Sequence, residues 1–349
     1  MKFNGILSAF SSDLAVDLGT ANTRIHAKGH GVVLNEPSIV AVRKMNGSHS
    51  KAIAFGTEAK DMQGKTPADI TLVHPIRDGV IADFEAIAAL LKFLIRKIHG
   101  RHQFVKPRIV FAVPNAITEV EKRAIRETAE MVGARAAMLV NGPVAAAIGA
   151  GMPVADATCS MIVDIGAGKT EAAAISLLGI VYCQAIQSSG NHMDFAISQH
   201  VKNTYELLVG DSTAEIIKQQ LSCRSESNRM DQQIEIRGRD PHTGIPKTMT
   251  IAARDISQAI AGQIDAIARL IKIVLEKIPP ELSADVIDRG ITLTGGVALL
   301  GNLSRYLGQE LCLNVKIAPD PLCAGVVGAA RLLADEQLLQ RAALECNFS

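Results

Sequence analysis

Hydrophobic and polar positions follow two rhythms that alternate through most of the chain. Short apolar runs read as buried strands: the stretch leading into Asp17, "RIVFAVP" at 108–114, the stretch leading into Asp164, and "GITLTGG" at 290–296. Between them the apolar positions take helical spacing. Ile87, Leu90, Leu91, Leu94 and Ile98 share one face and predict a helix over 85–98, stopped by Gly100. Thr118 and Glu121 form a capping box for a helix that ends at Gly133. Asn141-Gly142-Pro143 opens the small-residue helix "VAAAIGAG". Residues 195–222 are mostly helical, and Leu322–Leu344 largely so. Ile256, Ile260, Ile264, Ile267, Ile271, Val274 and Ile278 line the buried side of a long helix over 255–278, ended by Pro279-Pro280. Residues 32–55 read as short strands turning at Asn46-Gly47, while 224–254 are polar, with Pro241, Gly244 and Pro246. This alternation predicts an α/β chain.

Two strand ends resemble each other. "LAVDLGTANT" at 14–23 lies over "MIVDIGAGKT" at 161–170, matching Val16 with Val163, Asp17 with Asp164, Gly19 with Gly166 and Thr23 with Thr170. Such internal similarity points to two related lobes. Each glycine-bearing turn would offer backbone N–H groups to an anion. Each Asp would stand at a strand end, able to hold a hydrated divalent cation, because Mg²⁺ takes oxygen ligands and keeps its waters. Asp and Gly are also common turn formers, so two unrelated β-turns remain the plain alternative. "VDIGAGKT" is not a P-loop: Val163 stands where that motif needs glycine. The residues after Lys169 lead to Gly179 and "IVYC", which reads as a hairpin rather than a helix start.

Composition narrows the function. The 349 residues suffice for two domains or one large one, and 48% are hydrophobic, ample for a packed core. A formal charge of +1 supplies no basic field for nucleic acid, and aromatics at 3% with no Trp leave little to stack on bases. Six Cys lie far apart without metal-ligand spacing, most in apolar stretches, which fits buried thiols in a reduced cytosol. No apolar run is long enough to span a bilayer, and the N-terminus lacks the apolar core of a cleavable signal. In "MKFNGILSAF", however, Phe3, Ile6, Leu7 and Phe10 share a helical face. That segment reads either as a helix lying in a membrane interface or as a tail docked on its own domain. Full burial of the four side chains sets an upper limit of roughly 6–12 kcal/mol, which helix ordering reduces, so anchoring would need many copies acting together.

Quoted in order, "DLGTANT" (17–23), "LNEPSIVAVRK" (34–44), "RDGVIADFEA" (77–86), "AAAIGAGMPV" (145–154), "DIGAGKTEAA" (164–173), "TAEIIK" (213–218), "IEIRGRD" (234–240), "PPEL" (279–282), "DRGITLTGG" (288–296) and "DPL" (320–322) resemble the MreB family of bacterial actin-like proteins, nearly end to end. The resemblance implies an actin-like fold with two related lobes, each holding a mixed sheet flanked by helices and a smaller inserted subdomain. ATP or ADP with Mg²⁺ would lie between them. By this resemblance 1–11 form an amphipathic segment. Residues 12–150 with 319–349 form lobe I (small subdomain about 33–75), and 151–318 form lobe II (small subdomain about 187–254). It further implies filaments of the chain itself, on the cytoplasmic face of the inner membrane, that organise peptidoglycan synthesis and rod shape beside cell-wall elongation proteins such as RodZ and MreC. Carried over by position, Gly19, Thr20, Ala21 and Asn22 would line the first phosphate loop, and Gly166, Ala167, Gly168 and Lys169 the second. Asp17 and Asp164 would hold Mg²⁺ through water. Glu215, Ile216, Ile217 and Lys218 would border the ribose and base, and Gly295, Gly296, Val297 and Ala298 the adenosine.

The chain departs from that family at telling places. Gly142 stands where the family carries the Glu that positions the attacking water. Lys169 replaces a Thr implicated in hydrolysis, Ala167 and Val297 replace glycines, and Ser189-Gly190-Asn191 replaces Gly-Gly-Asp. Loss of a water-positioning group costs ~10²–10⁴ in rate, whereas a lysine near phosphates attracts them. The expectation is a site that holds nucleotide and hydrolyses it slowly, at most a weak ATPase. A methyl at Ala167 or the Val297 side chain would instead crowd nucleotide out, leaving a nucleotide-independent scaffold. A soluble sugar or acetate kinase of the same superfamily is the enzymatic alternative, although no additional general base is visible for an acceptor hydroxyl. A chaperone of the Hsp70 type would need a substrate-binding domain after the nucleotide domain.

Overall fold

The computed structural model describes residues 13–45, 50–99, 106–222 and 233–345. The N-terminal positions Phe3, Ile6, Leu7 and Phe10, the expected turn at Asn46-Gly47 and the expected stop at Gly100 lie outside them. Contacts divide the chain into two compact units. One is drawn from the chain up to Ser160 with Ile175–Ile180 and the chain from Leu322 onward; the other comprises Met161–Ala174 and Val181–Pro321.

The first unit opens with β1 (Leu14–Leu18), β2 (Asn22–Ala27) and β3 (Gly31–Pro37), an antiparallel meander. A small sheet follows: β4 (Val40–Lys44), β5 (Ser50–Phe55), the short helix α1 (Thr57–Asp61) and β6 (Ile70–Val73), with strand order β5-β4-β6. The two-residue strands β7 (Ile76–Arg77) and β8 (Val80–Ile81) lead to α2 (Phe84–His99). Then come β9 (Arg108–Val113), α3 (Glu119–Met131), β10 (Ala136–Asn141) and α4 (Gly142–Gly149). β9 pairs parallel with both β1 and β10.

Alternation along the strands decides which helix each side chain meets. Leu14, Val16, Ile109, Phe111 and Leu139 share a cluster with the apolar stripe of α2, where Leu90, Leu91 and Leu94 are fully buried. Ala15, Val110, Ala112, Met138 and Val140 point the other way, toward α4 and the C-terminal helices. The sheet is thus covered on both faces, which is why its strands read as continuous apolar runs. Thr118 caps α3 as expected: its hydroxyl accepts from the Glu121 N–H, and the Glu121 carboxylate accepts from the Thr118 N–H at 3.0 Å.

Next come β11 (Ser160–Ile165), β12 (Thr170–Ser176) and β13 (Gly179–Ile186), which belong to the second unit except for Ser160 and Ile175–Ile180. The expected hairpin after Lys169 is present, and its turn places Leu177 (φ 53) and Leu178 (φ 65) in the left-handed region. There follow α5 (Gly190–Tyr205), α6 (Asp211–Ser222), the hairpin β14 (Gln233–Arg239) and β15 (Pro246–Ala252), α7 (Ala253–Lys277), α8 (Pro280–Arg289), β16 (Ile291–Thr294), a 3₁₀ turn (Gly296–Leu299), α9 (Leu303–Leu311) and β17 (Val315–Ile317). Most of the expected stripe of α7 is buried, although Ile264 is only half-buried. The polar stretch after Arg224 carries the β14–β15 hairpin, whose outward residues are exposed; Pro241 and Gly244 lie in its turn and Pro246 opens β15.

The chain returns to the first unit as α10 (Ala324–Ala334), α11 (Glu336–Ala342) and β18 (Ala343–Glu345), the last pairing with β10 where a largely helical tail was expected. The first unit's main sheet is ordered β18-β10-β9-β1-β2-β3 and the second's β13-β12-β11-β16-β17. Read from the meander inward, β3-β2-β1-β9-β10 repeats as β13-β12-β11-β16-β17. The duplication visible at the two Asp-bearing turns therefore extends to strand order.

An ion cluster ties the start of β1 to the C-terminal helices. The Asp13 carboxylate accepts from Arg108 Nε (3.1 Å) and Nη2 (3.0 Å) and from Arg135 Nη2 (3.2 Å), and Arg108 Nη1 reaches Glu336 Oε2 at 2.6 Å. Burial raises the Asp13 carboxyl, but the Arg108 and Arg135 hydrogen bonds outweigh it and hold the group below its ordinary value. A carboxyl lowered in the folded state stabilises the fold above its unfolded pKa and ceases to do so as pH falls through the folded one. Asp13→Asn is expected to cost about 2 kcal/mol near neutrality, with the gap to wild type closing below about pH 4. Urea unfolding at both pH values checks it.

Candidate functional site

Each Asp-bearing turn is built from the same local bonds. In the first unit Gly19 N–H closes the turn on the Asn22 carbonyl at 3.1 Å. In the second, Gly166 N–H closes on the Lys169 carbonyl at 3.0 Å. Two more carbonyls of each turn are captured from behind. Gly19 O accepts from the Ser38 hydroxyl (2.7 Å) and Ala21 O from Ser38 N–H (2.8 Å). Gly166 O accepts from Gly190 N–H (3.0 Å), while Ala167 O accepts from Asn191 N–H (2.8 Å) and the Ser189 hydroxyl (2.7 Å). Thr23 and Thr170, both fully buried, anchor the far ends on Ser38 and on the Ser188 carbonyl. The N–H groups of Thr20 and Ala21 in one turn and Ala167 and Gly168 in the other donate to no backbone acceptor among the described residues. Consecutive N–H groups of this kind form an anion-binding nest.

The two aspartates sit at strand ends. Burial pushes the Asp17 carboxyl above its ordinary value, against an opposing pull from Arg24. A nearby cation would hold such a group ionised. Gly325, in the first turn of α10, lies against that carboxylate: a Cβ there would be 3.2 Å from Asp17 Oδ2. Asp164 is enclosed by Gly295, whose φ of +83° and position 2.6 Å (as a Cβ) from Asp164 Oδ1 admit only glycine. Each aspartate thus presents oxygen donors that fit a hydrated divalent cation, beside N–H groups that fit an anion.

Three of the other expected site residues of the second unit, Ala167, Lys218 and Val297, meet around Gly190. A Cβ there would be 3.2 Å from Lys218 Nζ and 3.3 Å from both Ala167 Cα and Val297 Cγ2. Ala167 and Val297, two of the departures from the MreB pattern, therefore share one space. Lys218 donates to Gly190 O (2.8 Å) and to Asp194 Oδ2 (2.7 Å). Burial pushes Asp194 up to about 6 even though Lys218 pulls it down. Glu215 is half-buried and accepts from Gln219, Ile216 is exposed, and Ile217, Val297 and Ala298 are buried, while Gly296 is exposed. In the first unit Asn22 bonds Asn35 (2.9 Å), and the Thr20 hydroxyl accepts from Gly79 N–H (3.1 Å). Gly142 begins α4 directly after β10, and the buried Asn141 Oδ1 beside it has no hydrogen-bond partner among the described residues.

Sequence reasoning missed Gly325, Asp194 and the Ser189–His192 bond (2.8 Å), which no spacing rule signals. It also missed Glu171, the second residue of β12, which pairs with Lys169 of the turn. Cys312 is exposed at the end of α9, against the general expectation of buried thiols, while Cys159 is buried.

Duplicated topology with a matched pair of Asp-turns defines an actin-like fold. The comparisons agree. A model of the MreB/Mbl protein family matches residues 11–341, and the chain belongs to that family of cell shape-determining proteins. It is 44% identical over 335 residues to the cell shape-determining protein MreB of Escherichia coli (strain K12), covering 95% of each chain. It is 43% identical over 324 residues to Mbl of Bacillus subtilis (strain 168), covering 93% of this chain and 96% of that one. Among solved structures, MreB5 of Spiroplasma citri bound to AMPPNP superposes with a TM-score of 0.86 at 33% identity, over 95% of this chain and 98% of that one. A MamK double helical filament (TM-score 0.77, 23% identity, 93% and 99% coverage) shares the fold. No helix among the described residues is long and apolar enough to cross a membrane.

Proposed function

We propose that this chain is an ATP-binding filament subunit that assembles at the cytoplasmic face of the inner membrane, directs peptidoglycan synthesis in rod-shaped cells, and turns nucleotide over slowly. The observation that carries it is the shared bonding of the Gly19 and Gly166 turns, each with two carbonyls held from behind and two N–H groups that donate to no backbone acceptor among the described residues, beside an aspartate. MreB5 of Spiroplasma citri, similar over nearly the whole chain, is described bound to AMPPNP and to ADP. In this reading the N–H groups of both turns hold the phosphates, and Asp17 and Asp164 hold Mg²⁺ through its waters. The metal, when bound, neutralises phosphate charge. Gly142 carries no side chain to orient a water, which makes hydrolysis slow. Phe3, Ile6, Leu7 and Phe10 would place the filament on lipid, each copy weakly and the polymer firmly.

The packing of Ala167 and Val297 against Gly190 favours a second reading, a scaffold that assembles without nucleotide. Calorimetric titration with ADP and AMPPNP separates the two, since the scaffold binds neither. Phosphate release should fall ~10²–10⁴-fold below that of the Escherichia coli relative, as loss of one water-positioning group implies. Release as brisk as the relative's sinks the slow-turnover claim. Sedimentation on anionic vesicles should be lost on removing residues 1–10, and retention without them would refute membrane anchoring by that segment.

A further inference from the structure

Lys169 is not a bare cation on the second turn. Its Nζ lies 2.5 Å from Glu171 Oε2, and the two side chains differ sharply in exposure, 21% for Lys169 and 4% for Glu171. The backbone of Lys169 belongs to the turn itself, since its carbonyl closes on Gly166 N–H, while Glu171 is the second residue of β12. The ion pair brings the two side chains together, and Cys183 of β13 feels both charges. The result is a buried carboxylate paired with a partly exposed ammonium. The ammonium hangs on a four-carbon stem with three donors, so it can exchange partners while the carboxylate cannot.

We propose that Glu171 is a built-in competitor for the terminal phosphate of the nucleotide: it holds the Lys169 ammonium until a triphosphate takes it over. This rests on the reading that the Gly166 turn meets the phosphates. A triphosphate carries one more negative charge than a diphosphate and extends one phosphoryl group further, so in this reading its terminal group draws the ammonium off a single carboxylate where a diphosphate's does not reach. Glu171 therefore sets how strongly the site tells ATP from ADP, although it touches neither. It is a positioning residue acting through Lys169. The lysine does not give the site a net positive charge, because its counter-ion comes with it.

Titration calorimetry of the full chain with AMPPNP and with ADP, on wild type, Glu171→Gln, Lys169→Thr and the double variant, tests it. Glu171→Gln releases the ammonium and should tighten AMPPNP about tenfold, the worth of one charged hydrogen bond, while changing ADP less than about twofold. Lys169→Thr should weaken AMPPNP selectively. In the double variant the effect of Glu171→Gln should vanish, because Glu171 acts only through the lysine. A wild-type AMPPNP/ADP ratio in Glu171→Gln, or in Lys169→Thr should the glutamine variant not fold, overturns the competitor role and leaves the nucleotide site intact. Absence of binding of either nucleotide to the wild-type chain overturns both.

Discussion

Gly328→Ala should abolish stable folding of the first unit, a loss of more than ~3 kcal/mol. The helices α4 and α10 touch backbone to backbone. A Cβ on Gly328 would overlap the Ala145 carbonyl oxygen and lie 2.9 Å from Gly149 N, and one on Gly149 would overlap the Ala324 carbonyl oxygen. These atoms are peptide groups of packed helices, so no rotamer change relieves the clash. The helices must part, and they carry Ala145, Val326, Ala329 and Leu332 of the core beneath the sheet. The same separation would move Gly325 away from Asp17. Gly262→Ala is the control. It lies within α7, a Cβ there meets nothing within 4 Å, and alanine should stabilise the helix by up to ~1 kcal/mol. Circular dichroism and urea unfolding of both variants decide it. A Gly328→Ala protein that melts like wild type would show that the helices part at little cost.

Gly142→Glu should raise phosphate release by ~10²–10⁴, the range a water-orienting carboxylate contributes. The position tolerates a side chain. Gly142 lies outside the positive-φ glycines, and a Cβ would stand 3.1 Å from Val113 O, close enough to require a few tenths of an ångström of give but not a new fold. Beside it, Asn141 Oδ1 is buried without a partner among the described residues, so the end of β10 already holds a polar atom suited to water. A variant that keeps its circular dichroism and nucleotide affinity but releases phosphate no faster than wild type would show that the missing carboxylate is not what limits turnover. The cause would then move to the second turn and its Lys169–Glu171 pair.

Much of the fold was legible because it is written in local periodicity. The stripe of α2 and the capping box of α3 need only near neighbours in sequence, and so does the hairpin after Lys169. Less legible were elements whose partners are distant. β18 pairs with β10 across two hundred positions, and nothing in "ALE" announces a strand. The β14–β15 hairpin is exposed outside and buries only Ile234, Ile236 and Ile251 inward, an alternation too short to mark two strands within a polar stretch. At the site, the repeated Asp and Gly were plain in sequence, whereas the meaning of the substitutions was not. Lys169 read alone is a phosphate-attracting cation; read with Glu171 at 2.5 Å it is one half of a neutral pair.

The sequence by itself determined the α/β character, the duplicated Asp-turns and the resemblance to the MreB family. Each of these rests on residue type and short spacing, which the backbone converts into strands, turns and helix faces without outside help. Only the tertiary structure decided that Gly325 borders Asp17, that Ala167 and Val297 meet at Gly190, and that α4 and α10 cross with no room for a methyl. Those contacts join residues tens to hundreds of positions apart. Their geometry is set by how whole elements pack, and a linear pattern carries no record of which distant surfaces will touch.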